Sequence, residues 1–201
     1  MGSFSQAKEL LGASPVYSPT DVERVFGVRF TSEHMTALEN IPFSDEVLTS
    51  CAGTHMLFPG YPLSLLDIRE KKADLFYSQS GGWYAEARET FSRETVPIRW
   101  NLLRMEPIPG SFSKNWDEQH TLLLAGEEVS TAATLTFATI LHFGATKKRL
   151  LERTYVRVSD KDADGNRVRV GIFDAGGLFV GHYWVDNRGD GLGLSLSLIH
   201  I

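Results

Sequence analysis

The stretch TYVRVSDKDADGNRVRVGI, residues 154–172, alternates apolar and basic side chains on either side of an Asp-Gly step. A period of two is typical of strands with one buried face, and Asp-Gly is a turn signal, so the stretch predicts a β-hairpin. A third run over 178–184 and a short fourth around Leu192 extend the hairpin to an antiparallel meander.

The register of this hairpin follows from the side on which its valines lie. A slip of one residue turns a strand over and removes each valine from the core, at a cost of about 1.5 kcal/mol per side chain. A three-residue loop over 163–165, with Gly165 left-handed, keeps the valines on one face. The expected facing pairs are Asp162 with Asn166, Val158 with Val170, and Val156 with Ile172.

The same register places four basic side chains together on the opposite face: Arg157, Lys161, Arg167 and Arg169. Residues 147–169 hold eight basic and four acidic side chains, whereas the rest of the chain holds twelve and twenty-one, for a net charge of −5. This asymmetry indicates either a solvated strand face or a surface for an acidic partner, which would be an acidic protein or a nucleic-acid backbone. We expect a soluble, non-enzymatic binding or accessory protein that uses this face.

The turn itself has the opening pattern of a calcium loop. Asp160, Asp162 and Asp164 occupy the first, third and fifth positions, and Gly165 the sixth. The bidentate glutamate expected at the twelfth position is replaced by Gly171, and the flanking stretches are strands rather than helices. The sequence therefore favours a hairpin turn, with a calcium-stabilised module as an alternative function.

A small-molecule enzyme is the other alternative, with a pocket lined by His120, His142 or His182. The chain contains no nucleophile elbow, phosphate-binding loop, paired cysteine motif or histidine metal motif. We therefore assign no catalytic residue and no cofactor, and we leave open whether the protein is an enzyme.

The remainder of the chain predicts an α+β fold, in which an α-rich N-terminal two-thirds packs on the C-terminal antiparallel meander. A chain of 201 residues with 42% hydrophobic side chains suits a single domain, here residues 1–195. Strands are expected over 54–58 and 96–105. The predicted helices cover 4–11, 19–26, a segment capped by Ser44, 65–68, a segment from Ser113 to Leu124, and a long helix capped by Ser130 or Thr131.

The sequence favours a cytoplasmic location. The single cysteine, Cys51, excludes an internal disulfide framework, and the first residues do not have the pattern of a secretory signal. The longest uncharged stretch, Val129–Thr146, contains several threonines and a histidine, so it predicts a buried helix rather than a membrane span.

Four segments resemble a family of hypothetical proteins encoded by uncultivated candidate-phylum bacteria. They are Ile41–Ser44, His55–Arg69, Lys114–Gln119 and Tyr155–Val168. The resemblance covers most of residues 20–195 and implies a bacterial, cytoplasmic, single-domain protein, with no activity, cofactor or catalytic residue to carry over. Residues 196–201 resemble the translation of a sequencing adapter, so we set them aside as a non-native tail.

Overall fold

The structure, a computed structural model, describes residues 2–77 and 81–198. Its α-helices in this part of the chain are α1 (Phe4–Leu11), α2 (Pro19–Phe26), α3 (Ser32–Ala37), α4 (Asp45–Ser50), α5 (Leu65–Lys71), α6 (Trp116–His120) and α7 (Ala132–Thr146). Its strands are β1 (His55–Pro59), β2 (Trp100–Arg104), β3 (Glu127–Glu128), β4 (Tyr155–Lys161), β5 (Arg167–Asp174), β6 (Gly177–Tyr183), β7 (Leu192–Leu194) and β8 (Ser197–Leu198). Short 3-10 turns cover Ala73–Leu75, Trp83–Ala85 and Thr90–Arg93. The fold is α+β.

The strands form two four-stranded sheets. The first has the order β1-β2-β8-β3 and is antiparallel throughout. The second has the order β6-β5-β4-β7, and β7 runs parallel to β4. The strand expected around Leu192 therefore exists, but the expectation that it continues the antiparallel meander is wrong.

The hairpin loop has the predicted form. The Asp162 N–H donates to the Asn166 carbonyl at 2.9 Å, and Gly165 has a φ of 85°. Further from the turn the predicted pairing is wrong, because Val156 faces Val170 rather than Ile172. A bulge between Arg157 and Lys161 shifts the register by two residues, an even number. The valines therefore remain in the core.

The bulge exists because its residues bind to the start of α7 instead of to β5. The Ser159 N–H donates to the Ser130 carbonyl at 3.0 Å, and the Asp160 carboxylate accepts from the Ala132 N–H at 2.6 Å. The first N–H groups of a helix have no partner within it, so this carboxylate supplies one. Thr131, one of the two residues predicted to cap this helix, is its N-cap.

Helix α7 is the buried helix that the uncharged stretch predicts, with every residue from Ala132 to His142 buried. It packs against α2 and α5 and against β4 and β5. Among the described residues, no helix is long and apolar enough to cross a bilayer. Phe173, rather than Ile172, fills the core at the end of β5, because Ile172 adopts a positive φ of 44° and lies only partly buried.

The predicted starts of α2 and α5 agree with the structure, because each has a local capping signal. Ser18 and Ser64 each form a capping box with the aspartate three residues later. The predicted helix from Ser113 to Leu124 is wrong, since Ser113 has a positive φ and α6 starts after Asn115 and ends at His120. Helix α3 and the two-residue strands β3 and β8 were not predicted.

The segment set aside as a tail takes part in the first sheet over its described residues. Leu196 is buried and its carbonyl accepts from the Arg104 N–H at 3.0 Å. Ser197 and Leu198 pair with β2 on one side and β3 on the other. The rest of the segment, residues 199–201, lies outside the described residues.

Candidate functional site

Arg157 is the most consequential residue on the basic face, and the structure buries it completely. Its Nη1 donates to the Lys114 carbonyl at 3.1 Å and to the Gln119 Oε1 at 2.7 Å. Its Nη2 donates to the carbonyls of Asn187 at 2.6 Å and of Trp184 at 3.4 Å. The expectation that this side chain faces solvent is wrong, because two segments distant in sequence cover it.

The charge on Arg157 is stabilised by neutral oxygen atoms rather than by a carboxylate. Burial, followed by the nearby charges of Arg167 and Arg169, lowers the pKa of Arg157 to about 10. Gln119, itself fully buried, donates its amide to the carbonyls of Ser111 and Leu192. Arg157 and Gln119 together hold the segments around α6 and after β6 against the second sheet.

The other two arginines lie partly exposed against aromatic rings. The Arg169 guanidinium carbon lies 4.1 Å from the Tyr155 ring centroid and 3.8 Å from that of Tyr183. The Arg167 guanidinium carbon lies 3.7 Å from the Trp116 ring centroid, and its Nη1 donates to the Ser159 carbonyl at 2.6 Å. Both contacts have cation–π geometry, which stabilises a guanidinium without an anion.

These side chains share one side of the second sheet, since residues that face each other in a ladder point the same way. We call this surface the arginine–aromatic face, made of Tyr155, Lys161, Arg167, Arg169, Phe179 and Tyr183. Within the described chain, no carboxylate lies within ion-pair distance of its arginines or of Arg157. Lys161 is exposed, and so are two neighbouring rings, Tyr77 and Trp184.

The three aspartates of the calcium pattern turn to three different places. Asp160 binds the start of α7, and Asp164 lies 3.2 Å from Arg88. Asp162 accepts from the N–H groups of Asp164 and Asn166 inside the turn. The structure does not bring these carboxylates together, and the described residues hold no group of three or more potential metal ligands.

Asp162 also holds the side chain of His182. Their Oδ2 and Nδ1 atoms are 2.5 Å apart, and the His182 ring lies 4.6 Å from that of Trp83. Although burial acts to raise it, the pKa of Asp162 is lowered, because Asn166 donates to the carboxylate from its side chain and its backbone. The pair fixes the hairpin tip against the turn Trp83–Ala85.

The three histidines of the pocket alternative occupy separate environments. His142 is buried and its Nδ1 lies 2.7 Å from the Tyr17 hydroxyl, and burial lowers the pKa of His142. His182 binds Asp162. His120 lines a large cleft that neither His142 nor His182 lines, so the described residues do not bring the three histidines into that cleft.

This cleft, which we call the α7 cleft, measures about 450 Å³ and lies at the N-terminal end of that helix. A volume of this size is within the range of small-molecule sites. Its charged and aromatic lining consists of Glu94, Arg99, Trp116, His120, Glu127 and Glu128, and its hydroxyl groups come from Ser130, Thr131, Thr134, Ser159 and Ser197. The residues come from several elements, so no sequence motif marks the cleft.

Charge in the α7 cleft is predominantly negative. Arg99 and Glu128 form an ion pair of 2.7 Å, which leaves Glu94 and Glu127 without a basic partner in the cleft. Asp160 lies next to its wall, and burial raises the pKa of Asp160 to about 6 despite the hydrogen bond from Ala132, with the Glu94 charge raising it further. The cleft suits a neutral or cationic ligand better than an anion.

We predict that Asp160 makes the protein less stable as the pH rises from about 4 to 7. Because its pKa is near 3.8 unfolded and about 6 folded, the folded state binds the extra proton in this interval. Replacement with Asn keeps an acceptor for Ala132 but removes the charge. The free energy of unfolding of Asp160→Asn relative to the natural protein should therefore increase over this interval, by up to about 3 kcal/mol.

Urea unfolding at several pH values measures this difference. The matched control is Asp164→Asn, which removes the same charge from the exposed tip of the same hairpin. A stability difference for Asp160→Asn that stays constant between pH 4 and 7 would contradict the assignment.

We predict that Arg157→Met lowers the free energy of unfolding by about 3 kcal/mol, because the carbonyls that it satisfies become buried without donors. Arg157→Lys should also destabilise, since an ammonium group cannot match the fork of donors. The matched control is Arg169→Met on the facing strand, which loses stacking worth about 1 kcal/mol. Urea denaturation measures all three, and equal losses at both positions would show that Arg157 has no special role.

Comparison of the chain with protein-family models, with curated proteins and with solved structures finds no match in any of the three. The geometry of the arginine–aromatic face and of the α7 cleft is therefore the basis for the functions considered next.

Proposed function

We propose that this protein is a binding protein that contacts an anionic macromolecule, a single strand of nucleic acid, through the arginine–aromatic face. The observation that carries the proposal is Arg169, whose guanidinium lies between Tyr155 and Tyr183 with no carboxylate nearby in the described chain. The proposal keeps the cytoplasmic location that the sequence predicts and the bacterial origin that the resemblance implies.

The combination of rings and cations favours nucleic acid over an acidic protein surface. Exposed rings offer faces on which bases stack, and guanidinium or ammonium groups bind the phosphates between them. Tyr77, which contacts Phe179, is 63% exposed, and Trp184, which follows Tyr183, is 71% exposed. Lys161 supplies an exposed charge on the same face, where it pairs with Arg167, which in turn pairs with Tyr183.

Arg157 has a different role from the one expected of it. It is fully buried, so it supports the partner-binding surface rather than contacting the partner. The proposed contact residues from the original set are Lys161, Arg167 and Arg169. A partner phosphate near them would offset the mutual repulsion of the three arginines.

We expect the natural protein to bind a labelled oligouridine, measured by fluorescence anisotropy in low salt, with an affinity that falls steeply as salt rises. Lys161→Gln should weaken binding and lower the salt slope by about one, the value for one lost phosphate contact. Lys8→Gln, an exposed lysine on α1, is the matched control and should leave binding unchanged. Arg169→Lys keeps the charge but loses the stacked guanidinium, so it should also weaken binding.

Three results would contradict the proposal. The first is no binding of oligouridine in low salt, and the second is equal effects of Lys161→Gln and Lys8→Gln. The third is equal binding of polyglutamate, which would identify the partner as an acidic protein surface instead.

A second function is favoured by the α7 cleft, in which carboxylates outnumber cations. We propose that it binds a small organic cation, with Glu94 and Glu127 providing the charge and His120 a polar edge. The excess of carboxylates in a confined space raises the local concentration of cations.

For this second function we predict binding of 1,4-diaminobutane in a calorimetric titration, and much weaker binding of succinate, a dianion of similar length. Glu94→Gln should reduce the affinity for the diamine several-fold. The matched control Glu70→Gln removes an exposed carboxylate on α5 and should have no effect. Preferential binding of succinate, or no binding of the diamine, would contradict the assignment.

A further inference from the structure

Two arginines meet at a cavity that is lined by none of the residues of the arginine–aromatic face or the α7 cleft. Arg104 ends β2, and Arg149 follows α7. Both line a cavity of about 280 Å³ between the turn that precedes β1 and the segment after α7. Its other lining residues are Gly53, Thr54, Met105, Glu106, Leu150 and Leu151.

Neither guanidinium has a hydrogen-bonding partner in the part of the chain that is described. No carboxylate pairs with either one, and the Nε–H of each is fully buried without an acceptor. A buried donor without an acceptor costs about 1–3 kcal/mol, and more when it carries charge. Arg157, Arg167 and Arg169 also have a buried Nε without an acceptor, so the distinguishing feature of Arg104 and Arg149 is that both line one cavity, in which a bound ion would satisfy their donors.

Arg149 is held in place by contacts that leave its donors available. Its guanidinium carbon lies 4.8 Å from the Phe143 ring centroid and 5.4 Å from that of Phe173. Stacking on rings occupies the faces of a guanidinium, whereas its N–H donors point outward in its plane. The side chain is thus fixed in orientation without using the donors that recognise an oxyanion.

Arg104 places the second charge at the end of β2. The pKa of His55 on the neighbouring strand is lowered to about 4. Burial of His55 is the larger cause, and the positive charge of Arg104 is the second. Because His55 is consequently neutral near pH 7, it does not add a cation. Glu106 is the one carboxylate in the lining, and it is exposed. Solvent therefore screens the charge of Glu106 more than it screens the charges of the two partly buried arginines.

We propose that this cavity is a binding site for the phosphoryl group of a small metabolite, held by Arg104 and Arg149. Two guanidinium groups match the charge of a phosphoryl dianion, whose three oxygens accept from several N–H donors at once. A carboxylate has half that charge and would leave one guanidinium uncompensated. The cavity volume limits the ligand to a small molecule.

Calorimetric titration of the full chain with inorganic phosphate at low salt tests the proposal, with acetate as the comparison anion. The natural protein should bind phosphate and should bind acetate at least about tenfold more weakly. Arg149→Gln should reduce phosphate affinity about tenfold or more, the effect of losing a charged hydrogen-bond donor. The matched control Lys148→Gln changes the net charge equally at the preceding, exposed residue and should change affinity less than about twofold.

Glu106→Gln is the variant that remains informative if Arg149→Gln loses stability through its contacts with Phe143 and Phe173. Removal of this exposed carboxylate should strengthen phosphate binding several-fold, because it repels the anion. Absence of phosphate binding, equal effects of Lys148→Gln and Arg149→Gln, or no gain from Glu106→Gln would overturn the proposal. Equal affinity for acetate would overturn the assignment of a phosphoryl group.

Discussion

One buried guanidinium, that of Arg157, holds the outer layer of the second sheet in position. It donates to the segments around Lys114 and Asn187, which are far apart in the chain and lie outside the helices and strands. The apolar cluster in this region has only four buried members, Ile108, Val129, Leu194 and Leu196. Hydrophobic burial there is small, so the polar contacts of Arg157 and Gln119 contribute a large share of the free energy that orders the layer.

The same arrangement has an electrostatic consequence for the surface above it. Arg157 faces Arg169 directly across the ladder, and Arg167 lies two residues further along the same strand. Their charges are compensated by carbonyl dipoles and aromatic rings, both of which leave a net positive potential. Among the carboxylates of the hairpin, Asp160 offsets part of the charge of Arg167, whereas Asp162 and Asp164 pair with His182 and Arg88. This surface is therefore positive in a protein whose net charge is negative.

Sequence patterns predicted the features that depend on neighbouring residues. Parity of the valines gave the hairpin loop, and the serine–aspartate spacing at Ser64 gave the start of α5. The bulge in β4 was not predictable, since it depends on acceptors and donors at Ser130 and Ala132, almost thirty residues away. Burial of Arg157 was missed for the same reason. A capping-box signal did exist at Asn115, and giving it priority over Ser113 would have placed α6 correctly.

The seven residues from Leu192 to Leu198 connect the two sheets, because β7 lies beside β4 and β8 lies between β2 and β3. Strand β8 is the only described strand that joins β3 to the rest of its sheet. Both sheets therefore depend on pairings between residues widely separated in sequence, a topology that slows folding. On the ribosome, neither sheet could be completed until this late segment had emerged, so the growing chain would expose the open edges of β2 and β4 until then.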